Sequence, residues 1–205
     1  MNILCHRGYW SDISEQNTLN AFSESTRRGY GIELDVRNKD GNLIIAHDLA
    51  EEDSLLLIDA LKVIDGCKSH IMVNIKEDSI CHEVAKLFDQ YDIKYYLFDM
   101  SIPETVICSD NSLPFFTRLS EYETFTRLDK KSKGFWVDSF EGEWFDSELI
   151  SSILNYGNEV AIVSPELHGR DFQKLWSMLE NYSNYSNISI CTDYPDMANK
   201  YFNSK

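Results

Sequence analysis

Short apolar runs alternate along the chain with longer segments whose apolar positions recur every three or four residues. The runs are NILCH (2–6), GIELDV (31–36), IMVNIK (71–76), YYLFDM (95–100), PFFTR (114–118), GFWVDSF (134–140), VAIVSPE (160–166) and ISICTD (188–193). Their length and β-branched and aromatic content predict strands. The segments between them predict helices: 18–29, 54–66, 80–91, 102–110, 121–128, 146–157 and 171–182. Asp146 and Asp171 are the expected N-caps, and Gly29 and Gly157 the expected stops. Eight strands alternating with helices predict a parallel sheet closed into a (β/α)₈ TIM barrel; a doubly wound open sheet is the alternative. No repeat, low-complexity tract or Pro/Gly linker divides residues 1–205, so one barrel domain is expected.

The strands end in polar or charged residues: His6 and Arg7, Glu33 and Asp35, Asn74 and Lys76, Asp99, Arg118, Asp138, Ser164 and Glu166, Thr192 and Asp193. In a parallel barrel these ends form one rim, where active sites are built. Two of the runs carry polar residues inside the apolar pattern. Period two sets Glu33 and Asp35 on one face and Ile32, Leu34 and Val36 on the other. The apolar face meets the helices, so the two carboxylates point toward the axis. Side by side and buried, they repel unless a cation lies between them. A hard, oxygen-seeking divalent ion, Mg²⁺ or Ca²⁺ with Mn²⁺ also conceivable, suits that pair. The same period turns Asn74 and Lys76 inward. After the second run, Asp40-Gly41 predicts a hairpin turn that returns residues 43–46 and delivers His47 to the acidic pair. Arg7 offers a bidentate fork for an anion; its plainer use is to pair with Glu33 or Asp35.

Composition narrows the function. With 43% hydrophobic residues the 205-residue chain is an ordinary globule. No run approaches the roughly 18 apolar residues of a membrane span, and HRG occupies the place of a leader's apolar stretch. Five scattered cysteines without a CxxC pair predict reduced thiols and a cytoplasmic location. A net charge of −15 should repel nucleic acid and anionic bilayers, so no nucleic-acid partner is expected and an anionic substrate needs local cations.

The stretch HRGYWSDISEQNTLNAFSESTRRGYGIELDVRNKDGNLIIAHD resembles the N-terminal signature of the glycerophosphodiester phosphodiesterases: HRG, an Asn-Thr opening the first helix, an E-L-D strand, a DG turn and HD. VNIK resembles the family's third-strand motif and ISICTDYPDMA its last-strand Thr-Asp-x-Pro. The middle of the chain resembles a bacterial branch. The resemblance implies a (β/α)₈ barrel acting on a small phosphodiester with a divalent metal. It implies His6 and His47 as the general acid/base pair, Glu33 and Asp35 as metal ligands, and Arg7 and Lys76 on the phosphate. Gln16 and Asn74 depart from it, each standing where a carboxylate is usual; Asn74 is then the third, neutral ligand. No insert follows the second strand. Hydrolysis to a phosphomonoester and an alcohol is the implied reaction. A lyase giving a cyclic phosphate, or an inactive barrel that binds a phosphorylated ligand, are the alternatives. His168 is a candidate for the same rim, whereas His70 and His82 read as structural.

Overall fold

The computed structural model describes residues 1–49 and 54–204. Its first strand, β1 (Asn2–His6), is followed by α1 (Leu19–Arg28). Thr18 caps α1 by accepting the Ala21 N–H, and Gly29 ends it at φ 77°. Strand β2 (Gly31–Lys39) turns through Asp40-Gly41 into β3 (Asn42–Ile45). Both turn residues have positive φ, 52° and 83°, the backbone a tight hairpin requires. Then come β4 (Leu55–Leu56), α2 (Leu57–Ile64), β5 (His70–Ile75), α3 (Cys81–Phe88), β6 (Lys94–Phe98) and α4 (Ile102–Asp110). The C-terminal half continues with β7 (Phe116–Leu119), β8 (Gly134–Val137), α5 (Ser147–Asn155), β9 (Glu159–Val163), α6 (Gln173–Leu179), β10 (Ile188–Thr192) and α7 (Pro195–Asn203).

The fold is a TIM barrel. Parallel ladders join β1 to both β2 and β10, β2 to β5, β5 to β6, and β7 through β10 in order. The β6–β7 seam is the thinnest, held by the parallel bridge Leu97–Phe115 and by the Leu97 N–H to the Pro114 carbonyl at 3.0 Å. Ile32, Leu34 and Val36 pack outward among Phe22, Leu61 and Val73. Leu4, Met72, Tyr96, Phe116, Ala161 and Cys191 fill the interior. The alternation read for β2 is therefore the barrel's own inside–outside pattern. All five cysteines are buried and free. No helix among the described residues is long and apolar enough to cross a membrane.

Two expected elements differ. Residues 121–128 form no α-helix; only a single 3₁₀ turn begins at Leu128. Glu121 there accepts the N–H groups of Phe140, Glu141 and Gly142 at 3.0, 3.0 and 3.2 Å, while Glu123 pairs with Arg118 and accepts from Ser120 Oγ at 2.9 Å. These tertiary bonds outweigh a weak local helix preference. Nor does Asp171 cap its helix, because α6 begins at Gln173 after Phe172, with no side-chain cap.

Candidate active site

Local backbone geometry presents the HRG motif. Arg7 has φ 56° and Gly8 φ 91°, so the chain reverses at the end of β1. A Cβ at Gly8 would stand 2.7 Å from the Ala21 Cβ; the glycine serves close packing on α1 rather than close approach to a ligand. The Trp10 indole donates to the His6 carbonyl at 2.8 Å. Across the rim, the Arg37 guanidinium donates to the His47 carbonyl at 2.9 and 3.2 Å. Both histidines thus sit on tied backbone.

One cavity of about 300 Å³ at the C-terminal ends of the strands is lined by His6, Arg7, Glu33, Asp35, His47, Asn74 and Lys76. All seven predicted site residues meet there. Asp99, Arg118, Asp138 and His168 complete its polar lining. His70 instead begins β5, at the opposite end, where it is buried beside Ser189; His82 is exposed on α3.

Ionic contacts organise the cavity. Asp35, fully buried, has Arg7 Nε 3.1 Å from its Oδ2 and Lys76 Nζ 3.2 Å from its Oδ1, and accepts from Asn17 Nδ2 at 2.9 Å. The plainer use of Arg7 is thus realised: it pairs with a carboxylate, while its Nη1 donates to Gln16 Oε1 at 3.2 Å. Glu33 accepts from the Arg7 N–H at 3.3 Å and from Asn74 Nδ2 at 3.4 Å. Burial, with the Asp35 charge adding to it, pushes the Glu33 carboxyl up to about 7. His6 Nδ1 lies 2.7 Å from Asp193 Oδ1, and His47 Nδ1 3.0 Å from the exposed Asp48.

A protein-family model described as "Glycerophosphoryl diester phosphodiesterase family" matches residues 6–132. This chain belongs to that family. The family's members are phosphoric diester hydrolases, and the chain is an enzyme of that class. No curated protein matches it significantly. Among solved structures, a glycerophosphodiester phosphodiesterase from Parabacteroides distasonis superposes with a TM-score of 0.74 at 14% identity, over 99% of this chain and 97% of that one. An Oleispira antarctica phosphodiesterase, solved with the product sn-glycerol-3-phosphate, gives 0.73 at 16% identity, over 98% and 96%. A glycerophosphodiester phosphodiesterase from Agrobacterium tumefaciens gives 0.70 at 16%, over 96% and 98%. At such identities the likeness shows the shared fold.

The cavity of this glycerophosphoryl diester phosphodiesterase family member holds an oxygen-donor set. Asp35 and Asn74 are register partners on β2 and β5. Asn74 Oδ1 is buried and accepts no hydrogen bond, and Asp35 Oδ1, buried and met only by the Lys76 ammonium at 3.2 Å, lies in the same cavity as the buried Glu33 carboxylate. Two carboxylates and an amide oxygen match the chemistry of a hard divalent cation. Among the described residues, no three His, Cys, Asp or Glu side chains form such a group; the third donor here is neutral.

Several residues outside the predicted set also shape the cavity. Asp193 holds His6, Asn17 holds Asp35, and Asp138 holds His168. For Asp138 and Asp193 the polar character at strand ends was a visible signal, and for Asn17 its place in the Asn-Thr that opens the first helix. Their pairings, across 18 to 187 positions, were not.

Proposed function

We propose that this chain hydrolyses a glycerophosphodiester-type substrate to a phosphomonoester and an alcohol by His/His general acid–base catalysis with a divalent metal, as a single barrel domain of the cytoplasm. The observation that carries the reading is the shared cavity: two histidines on tied backbone, two cations and a buried carboxylate pair all face one space.

A phosphodiester hydrolyses slowly because an anion must be attacked and an alkoxide expelled. Water forms the new P–O bond, and the P–O bond to the alcohol breaks. One of His6 and His47 takes the water's proton, and the other gives a proton to the departing oxygen. Asp193, 2.7 Å from Nδ1, orients the His6 ring. Arg7 and Lys76 bind the phosphoryl oxygens from the Asp35 side of the cavity, supplying locally the positive charge that the chain as a whole lacks. Glu33, Asp35 and Asn74 would hold the cation, Mg²⁺ or Ca²⁺. When bound, such an ion neutralises phosphoryl charge and polarises the phosphorus centre. The five buried, free thiols accord with a reducing compartment.

The test is turnover of glycerophosphodiesters followed by ³¹P NMR, with Mg²⁺, Ca²⁺ or Mn²⁺ and after chelation. A phosphomonoester as first product supports hydrolysis. A cyclic phosphate as first product makes the enzyme a lyase. Binding of phosphorylated ligands without turnover under any metal leaves an inactive barrel. Activity that survives exhaustive chelation removes the metal.

A further inference from the structure

We propose that His168 is a specificity-determining residue that recognises a hydroxyl of the substrate's glycerol portion, an inference that rests on the phosphodiesterase reading of this cavity. His168 follows β9, and its Nε2 lies 2.7 Å from Asp138 Oδ1, just past the end of β8. Asp138 is buried, and the same oxygen accepts the Ser139 N–H at 2.8 Å. A carboxylate fixed in this way keeps the imidazole proton on Nε2 and makes Nδ1 an acceptor in the neutral ring. Among the described residues, no hydrogen bond reaches His168 Nδ1. The side chain is 26% exposed and lines the cavity, so a ligand can reach that nitrogen.

The surroundings lock the ring in place. Phe140 meets the imidazole edge to face, with centroids 5.5 Å apart and planes at 62°. Behind it, the Arg118 guanidinium carbon lies 5.3 Å from the centre of the Phe140 ring. Held between Asp138 and Phe140, the ring loses little freedom when it accepts a hydrogen bond, as specific recognition requires.

The same neighbours choose the ligand's chemistry. A cationic group, such as a quaternary ammonium, would bind an aromatic face. Here Arg118 already lies over the Phe140 ring and would repel it. An anionic group would face Asp138. A neutral hydroxyl suits an unpaired imidazole acceptor, and it can accept a second bond in turn. The proton transfers assigned to His6 and His47 leave His168 free for this role.

The experiment is isothermal titration of sn-glycerol 3-phosphate and methyl phosphate into wild type, His168→Ala and His168→Asn. Methyl phosphate has the same phosphomonoester but no hydroxyl. Wild type is expected to bind glycerol 3-phosphate the more tightly. His168→Ala should weaken glycerol 3-phosphate about 10-fold, the worth of one well-placed hydrogen bond, and leave methyl phosphate unchanged within about twofold. Asn, whose amide oxygen can stand near the Nδ1 position, should recover part of the loss. Methyl phosphate binding also reports that each variant has kept its fold. Equal weakening of both ligands, no weakening of either, or equal wild-type affinities would overturn the assignment of His168 and leave the phosphate site standing. A wild type that binds neither ligand would overturn the site on which the assignment rests.

Discussion

Arg7 Nε stands 3.1 Å from Asp35 Oδ2, so the guanidinium offered to a phosphate is also the counter-charge of a buried carboxylate. The contact lacks hydrogen-bonding alignment at Nε, while Nη1 is engaged by Gln16. Arg7→Lys keeps a positive charge for Asp35 but loses the planar fork. We expect kcat/KM to fall about 10-fold or more, with the thermal midpoint nearly unchanged. A variant with wild-type kinetics would make Arg7 a structural partner only.

In the proposed mechanism the histidines carry the proton transfers. His6→Ala and His47→Ala should each lower kcat by about 10²-fold or more, with far-UV circular dichroism unchanged. Asp193→Asn should cost less than His6→Ala. The ring then remains but loses the carboxylate that orients it. Near-normal rates in both histidine variants would remove them from the mechanism.

In the proposed cation site, Asn74 leaves one charge fewer than three carboxylates would. Asn74→Asp should therefore tighten Mg²⁺ and Ca²⁺ binding in calorimetry, with little gain in rate, since the added charge repels phosphate. Asp35→Asn should abolish it. The binding should also depend on pH. The Glu33 carboxyl is raised to about 7 in the folded protein, from an ordinary value near 4.5, first by burial and then by Asp35. Its neutral form stabilises the fold fully below about pH 4.5, and that contribution is lost as pH rises toward 7. A cation restores it by replacing the proton. The metal-induced rise in melting temperature should accordingly be larger at pH 8 than at pH 5.5. Equal metal shifts at the two pH values would place the ion away from Glu33.

His70 gives a second pH dependence at the far end of the barrel. It is buried against Tyr96, with ring centroids 5.6 Å apart, and its Nε2 lies 3.3 Å from Ser189 Oγ. Burial lowers it from 6.5 to about 4. The folded state prefers the neutral ring, so this stabilisation is complete above about pH 6.5 and is lost as pH falls toward 4. The total is on the order of 3 kcal/mol. Urea midpoints should drop more steeply between pH 7 and pH 4.5 in wild type than in His70→Gln. Parallel drops would show that His70 is protonated without cost.

Much of this protein is settled by short-range pattern. Strand β2 alternates because a barrel strand has an inside and an outside, so GIELDV alone dictates that Glu33 and Asp35 face the axis while Ile32, Leu34 and Val36 meet the helices. Asp40-Gly41 dictates a hairpin through its own backbone preferences, and the hairpin brings His47 to the rim. Thr18 and Gly29 bound α1 in the same local way. Tertiary structure decided the rest. Residues 121–128 have helix-like spacing, yet they lie open because Glu121 is drawn to the backbone of 140–142. Arg7 faces Asp35, His6 faces Asp193 and His168 faces Asp138 only once the barrel brings separate strand ends together. Periodicity specifies which side of an element a residue occupies, because that depends on its neighbours along the chain. It cannot specify which charge a side chain meets across the cavity, because that partner arrives through the closure of the sheet.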